Sequence, residues 1–379
     1  MKEVDFLVIG AGIAGASAAW RLAAHGSVAL LERESSPGWH STGRSAALFS
    51  ETYGPPQVRA LSRASRAFLE YPPDGFVEHP VLGPRGTLVI GNPLEPGLLD
   101  ALQAELGAGA AVERWTREQA LAAVPVLRPE CTGEALHEPG ARDIDVNALH
   151  QGFLRGLRGR GGELVCDAEL AALARASGRW EVRLADGRIW RARRLINAAG
   201  AWADVVAARG GLAGVGLQPR RRTAFVFAPP AGITCRQWPM VVDVAETWYF
   251  KPDAGLLLGS PANADAVQPH DVQAEELDVA IGIDRIQTAT TLTIRRPQRV
   301  WAGLRSFVAD GEPVVGERPD APGFIWLAAQ GGYGIQTCAA MSALAASLAL
   351  GQAVPPELAD QGVSAQALSP ARVGLERQG

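Results

Sequence analysis

An apolar run at residues 6–9 stops at Gly10, and the chain continues Gly10-Ala11-Gly12-Ile13-Ala14-Gly15 into an Ala-rich stretch with helical spacing to residue 24. A second apolar run, Val28–Leu31, ends at Glu32, 22 positions after Gly10. Strand, glycine turn, helix, strand and acidic residue in this order form a βαβ unit of the dinucleotide-binding kind. Gly10 permits the tight turn, Gly12 lets a pyrophosphate approach the backbone, and Gly15 lets the helix lie close to the strand. The helix start at Ile13 and Ala14 presents free N–H groups and a positive dipole end to phosphates. Glu32, followed by Arg33, would accept hydrogen bonds from ribose hydroxyls and would repel a 2′-phosphate, which argues against NADP.

The βαβ unit alone does not separate FAD from NAD. The loop Pro37-Gly38-Trp39-His40-Ser41-Thr42-Gly43-Arg44-Ser45-Ala46-Ala47 favours FAD, because small and hydroxyl side chains beside one arginine suit a backbone wrapped around a large cofactor. A chain of 379 residues is too long for one simple core, so two domains are expected. Helical spacing recurs at 57–69, 113–126 and 148–160, and Thr87–Ile90 and 163–166 read as strands. Residues 180–184 and 188–191 flank Ala185-Asp186-Gly187 as a hairpin, and 195–198 is a strand running into Gly200. Strand-like segments follow at 223–228, 248–251 and 256–258, and the strand 323–329 leads into a long C-terminal helix. The expected fold is an α/β (α+β composite): a Rossmann-like FAD-binding domain with an inserted, mainly antiparallel β-sheet substrate domain. The cofactor domain is expected at 1–84, 141–209 and 306–379, and the substrate domain at 85–140 and 210–305.

A net charge of -4 without a basic block argues against nucleic acid as a partner. The four cysteines are scattered, with neither CxxC nor metal-ligand spacing, so neither a disulfide nor a metal is expected. The N-terminus lacks signal-peptide character, and the most apolar stretch, 337–351, reads as a buried helix rather than an integral membrane segment, so a cytoplasmic protein is expected.

Five segments resemble the D-amino-acid oxidase-like flavoprotein superfamily, and within it the bacterial FAD-dependent D-arginine dehydrogenases. They are 8–17, 40–47, Asn197-Ala198-Ala199-Gly200-Ala201-Trp202, Trp301-Ala302-Gly303-Leu304-Arg305-Ser306-Phe307, and Ala329-Gln330-Gly331-Gly332-Tyr333-Gly334-Ile335-Gln336-Thr337. The resemblance implies noncovalent FAD, with Ser41, Thr42, Arg44, Ser45, Ala46 and Ala47 around the flavin or its phosphates. It places Val165 beside the adenine, with Ala198, Gly200 and Trp202 closing the adenosine side. It also brings a helix N-terminus formed by Gly331, Gly332, Tyr333, Gly334, Ile335, Gln336 and Thr337 to the flavin pyrimidine, where a positive dipole end stabilises negative charge.

The resemblance assigns Arg305 and Arg222 to the substrate carboxylate, Tyr249 to a phenol hydrogen bond, Tyr53 to a lid, and the Gly332 carbonyl to the substrate amine. From the residues alone, Arg220-Arg221-Arg222 reads first as a solvated charge run and Tyr249 as core. Arg305 stands in an apolar segment, where an unpaired charge is costly, and this favours a functional role. D-Arginine dehydrogenases carry an acid where this chain has Thr87 and a histidine where it has Leu48. Both departures take polarity out of the side-chain pocket and point to a neutral, apolar D-amino acid. His40, His137 and His270 have no evident catalytic partner and read as structural.

The expected reaction is oxidative deamination to the 2-oxo acid and ammonia through an imino acid, with hydride passing from Cα to flavin N5. The acceptor that reoxidises the flavin (a quinone, a carrier protein or O2) is left open. Rival readings are a flavoenzyme for N-methyl amino acids, glycine or 2-hydroxy acids, and a flavin-binding biosynthetic subunit.

Overall fold

The computed structural model describes residues 1–95 and 97–372. Lys2–Ile9 lies within an eight-stranded sheet, paired in parallel with Val28–Leu31 on one side and Ile189–Asn197 on the other. Beyond these, Glu163–Val165 and Phe324–Ala328 extend the parallel set. The run Phe6-Leu7-Val8-Ile9 is apolar throughout because both faces of the strand are covered. Phe6 and Val8 join one core, Leu7 and Ile9 the other. The register aligns the strand ends Ile9, Leu31, Val165 and Asn197 on one edge. In an open parallel sheet, ligands lie beyond that carboxyl edge. Gly10, Glu32, Ala198 and Ala329 come next after such ends.

The helices Val146–Gly159 and Cys338–Ala349 both pack on the helix Ile13–Leu22 over the first core. Gly156 makes room for Trp20, since a Cβ there would sit 2.5 Å from the indole. Trp20 in turn gathers Phe68, Phe76 and Phe153 at ring-centroid distances of 5.5 to 5.7 Å.

The second large sheet has nine strands and is antiparallel except where Met240–Asp243 meets Thr87–Ile90. Alternation divides its faces. Leu88, Ile90, Val241 and Phe250 point into a core closed by the helix Glu276–Ala289. Thr87, Val89, Val242 and Tyr249 face a cavity on the other side. A small third sheet joins Leu48–Phe49, Arg142–Ile144 and Leu82–Pro84. The strand Arg299–Phe307 runs along Gln218–Phe227 for its whole length. We retain the division into cofactor and substrate parts as a proposal, with the 305/306 boundary falling inside that strand.

Local differences from the sequence reading have physical causes. The segment 113–126 is not one helix: Glu113–Trp115 is a strand, and Arg117–Ala123 is a short helix started by a capping box between Thr116 and Gln119. The segments read as separate strands at 188–191 and 195–198 merge into one, Ile189–Asn197, which leaves out 188 and 198 and is held along its length by Lys2–Ile9. The C-terminal helix starts at Cys338, whereas residues 332–337 form turns, so Gly331 to Thr337 are a loop and not the first turn of a helix.

Candidate active site

A cavity of about 560 Å³ opens along the carboxyl edge of the first sheet. Of the residues proposed to hold the cofactor, Gly10, Gly12, Ile13, Ala14, Glu32, Arg33, Ser41, Thr42, Arg44, Ser45, Ala46, Ala198, Gly200, Trp202, Gly331, Gly332, Gly334 and Ile335 line it. Gly10 has φ +96°, and a Cβ there would lie 2.5 Å from the Ala198 carbonyl oxygen. A Cβ on Gly15 would lie 1.8 Å from the Gly10 carbonyl oxygen. Gly15 therefore lines nothing itself and instead sets how close the helix sits. Gly12 has no side chain to cap that helix, and the next N–H groups, those of Ala14 and Gly15, point where a ligand can take them. The Ile13 N–H donates to Thr42 Oγ1 at 3.0 Å, tying the following loop to the glycine turn.

Glu32 accepts from the Ala11 N–H at 2.8 Å and the Glu34 N–H at 3.0 Å. Burial pushes its carboxyl up, although those donors pull it down. His150, missed in the sequence, donates from Nε2 to the Ala11 carbonyl at 2.9 Å. Burial holds its pKa below the ordinary 6.5, although that bond pulls the other way. The folded imidazole is therefore neutral, whereas the unfolded chain takes up a proton as the pH falls below about 6.5. Because the unfolded state binds more protons there, stability falls from that pH downward until the folded-state pKa is passed. In urea unfolding, a His150→Gln chain is expected to lose less stability over that interval. Identical pH slopes for the two chains would dismiss His150 as the titrating group.

Several expected contributors do other work. The Val165 carbonyl accepts from the Glu32 N–H at 2.8 Å, and Val165 lines neither cavity. Gln336 accepts from the Ser50 N–H and donates to Ser62, and Thr337 donates to the Tyr333 carbonyl, so both brace the loop from behind. The Arg44 guanidinium is spent on Asp271 and on the Val272 and Ala302 carbonyls, which clamps the cofactor loop to the second sheet. His40, read as structural, lines the cavity, bonds Glu34 at 2.9 Å and lies on Trp202 with ring centroids 4.6 Å apart. Gln330 was not singled out, yet its Nε2 is buried beside the cavity without a partner among the described residues. A large ligand with acceptor atoms would satisfy it.

A second cavity of about 360 Å³ adjoins the first, and Ser45, Ala46, Arg222, Tyr249, Arg305 and Gly332 line both. Ala47, Leu48, Tyr53, Thr87 and Tyr333 line the second alone. Arg222 and Arg305 stand on neighbouring strands. Arg222 faces Gly303 across the ladder, two residues before Arg305, so both guanidiniums share a face. Arg222 Nε donates to the Asn263 carbonyl at 2.6 Å, and Arg305 Nη1 donates to Tyr53 Oη at 3.2 Å. Among the described residues no carboxylate forms an ion pair with either one. Burial and the like charge of Arg305 pull the pKa of Arg222 down. Burial also opposes the charge of Arg305, but the Tyr53 and Tyr249 hydroxyls raise its pKa. Both stay cationic. Burial alone would raise the Tyr249 pKa, yet the two guanidiniums hold its phenol below its usual value.

The arginine run is thus not a solvated stripe. Arg222 faces the cavity, and Arg221, on the other face, is buried against Asp278 and Glu275. The second cavity is also less bare of charge than Leu48 and Thr87 suggest. The Glu138 carboxylate accepts from Ser50, Thr52 and the Glu51 N–H, Asp243 accepts from Thr247, and Glu105 pairs with Arg59. Each is occupied within the protein, whereas Glu246 is exposed. Thr87 Oγ1 is buried and has no hydrogen-bond partner among the described residues. Among the described residues no His, Cys, Asp or Glu cluster could hold a metal ion, and no helix is long and apolar enough to cross a membrane.

The model of a family described as FAD dependent oxidoreductase matches residues 5–348. The chain is 27% identical over 237 residues to L-2-hydroxyglutarate dehydrogenase of Escherichia coli O17:K52:H18, covering 59% of this chain and 54% of that one. It therefore spans about half the length of the curated relatives it matches. Glycine oxidase from Geobacillus kaustophilus has a similar structure, with TM-score 0.82, 20% identity, and 96% and 99% of the two chains covered. L-alpha-glycerophosphate oxidase from Mycoplasma pneumoniae with FAD bound also has TM-score 0.82, at 17% identity over 92% and 95% of the chains.

Proposed function

The chain belongs to the FAD dependent oxidoreductase family, its cofactor is FAD, and from that premise we propose that it oxidises an α-amino acid to the 2-oxo acid and ammonia through an imino acid. The substrate in this reading has D configuration and a neutral, apolar side chain. The observation that supports it is the pair Arg222 and Arg305: two cations without a carboxylate partner, facing the junction of the two cavities. Like charges held together in a dry place are unfavourable until an anion joins them. A carboxylate does so, and the guanidinium fork fixes its orientation.

When bound, FAD supplies the hydride acceptor, N5. The protein supplies placement. Arg305, steadied by Tyr53, and Arg222, steadied by the Asn263 carbonyl, hold the acid group. Tyr249, buried on another strand of the same sheet, offers a hydroxyl. The cationic pair also disfavours an ammonium nearby, so the substrate amine is biased toward its neutral form without a side-chain base. Orientation of this kind accounts for a large share of a rate enhancement. With Thr87 where a cationic substrate would need an acid, D-arginine and D-lysine are poor fits.

Gly332 is expected to be sensitive for steric reasons. A Cβ there would lie 2.8 Å from Arg305 Cζ and Nη1. Gly332→Ala is expected to displace the guanidinium and lower kcat/KM on the order of 100-fold, the scale for a misplacement of about 1 Å. Steady-state kinetics checks this, and an unchanged kcat/KM would mean that Arg305 need not lie where it does.

One observation favours a second reading, a 2-hydroxy acid with two carboxylates: two guanidiniums can also serve two acid groups. Anaerobic flavin bleaching by D- and L-amino acids, N-methyl amino acids, glycine and 2-hydroxyglutarate decides between them. Bleaching by 2-hydroxyglutarate with silence from every amino acid would replace the first reading by the second.

A further inference from the structure

The second cavity continues well past the place where the Cβ of a clamped amino acid would lie. Its floor is a cross-strand row in which Tyr249 faces Val242, Val242 faces Val89, and Val89 faces Leu136. All four line the cavity. Three inter-strand steps of ~4.8 Å make this floor roughly 14 Å long. The far end is walled by Leu102 and Leu106, from the helix Leu98–Leu106, and by Val112. Leu99, Leu102 and Leu106 share one helix face by spacing. Leu99 is buried in the protein, whereas Leu102, Leu106 and Val112 are half-buried and look into the cavity.

From this we infer that the site takes an acid with an extended apolar chain, and that Leu102, Leu106 and Val112 determine its length. The inference rests on the carboxylate clamp of the proposed function and adds the size class and the residues that set it. Glycine or alanine would leave this apolar wall facing water, and a chain long enough to reach the leucines would remove that contact. Of the charged groups that line the cavity, Arg59 and Glu105 bond each other at 2.8 Å, Glu138 and Asp243 accept from neighbouring hydroxyls, and Glu246 is exposed to solvent.

The test uses the FAD-loaded protein and two ladders. Straight-chain carboxylates from acetate to decanoate are titrated against the flavin absorbance spectrum, and racemic 2-amino acids from alanine to 2-aminooctanoate are scored by anaerobic flavin reduction. Affinity is expected to rise about fourfold per added methylene, and by at least 100-fold over the carboxylate ladder. Leu106→Trp and, separately, Val112→Trp are expected to cut the long-to-short ratio at least tenfold. Because each variant is judged by a ratio within one folded, yellow preparation, general damage does not imitate the result. A ladder flat in chain length, or a ratio unmoved by both substitutions, overturns the inference. Carboxylates that bind by length while no amino acid reduces the flavin would leave this inference standing and remove the proposed reaction instead.

Discussion

Arg305→Ala is expected to reduce its flavin with a kcat/KM about 30- to 5,000-fold below that of the parent, from the roughly 2–5 kcal/mol lost when one partner of a buried, hydrogen-bonded charge pair is removed. The remaining Arg222 cannot compensate, because its Nε is already committed to Asn263 and a fork split between two partners loses its planarity of contact. The fold itself is not expected to suffer. Arg305 has only Tyr53 as a side-chain hydrogen-bond partner among the described residues and repels Arg222, so its removal relieves strain between like charges. The signature is therefore a large kinetic loss with an unchanged or raised Tm. A related amine without an acid group serves as control, since it has nothing to lose. Equal losses for the acid and the control would show that Arg305 acts on something other than the carboxylate.

Gly15→Ala is expected to yield protein that holds little or no flavin. The new methyl would lie 1.8 Å from the Gly10 carbonyl oxygen, and 3.3 Å from Val8 Cγ1. The first obstacle is backbone, which cannot swing aside as a side chain would. The helix must move off the strand, costing about 1–3 kcal/mol as overpacking does. That shift also carries its unpaired N–H groups away from the phosphates. The loss compounds, because FAD stabilises the folded chain by roughly 4 kcal/mol when present at a thousand times its Kd. Flavin absorbance per mole of protein, and the Tm with and without added FAD, measure both parts. Gly159→Ala is the comparison, since a Cβ there meets nothing within 4 Å. A Gly15→Ala chain as yellow as the parent would mean that the helix does not need its close approach to the strand.

How much of this was legible in the sequence depended on the distance over which each signal acts. The glycine turn with its strand and helix is local, and Arg305 stands out because a charge in an apolar strand segment has few innocent explanations. Arg222 could not be separated from Arg220 and Arg221 without knowing which side of the strand Gln218–Phe227 meets the cavity. That choice is set by pairing with Arg299–Phe307, some eighty residues on. The short helix after Thr116 carried its own mark, the Thr116–Gln119 capping box, which the apolar spacing around it obscured. The helix Leu98–Leu106 offered only Leu99, Leu102 and Leu106 as a stripe, with glycines on both sides and no capping side chain. His40 read as structural, and His150 drew no reading at all, because Asp271, Glu34, Trp202 and the Ala11 carbonyl reach them only through the tertiary fold.

A pleated floor under a binding pocket has an evolutionary consequence. Thr87, Val89 and Val242 line the second cavity, while the intervening Leu88 and Val241 hold the interior together. Exchanges at every other position can therefore re-tailor what the enzyme accepts with little penalty in foldedness, since the ladder of main-chain bonds is untouched. Relatives built on this frame would be free to diversify in diet while keeping the same skeleton.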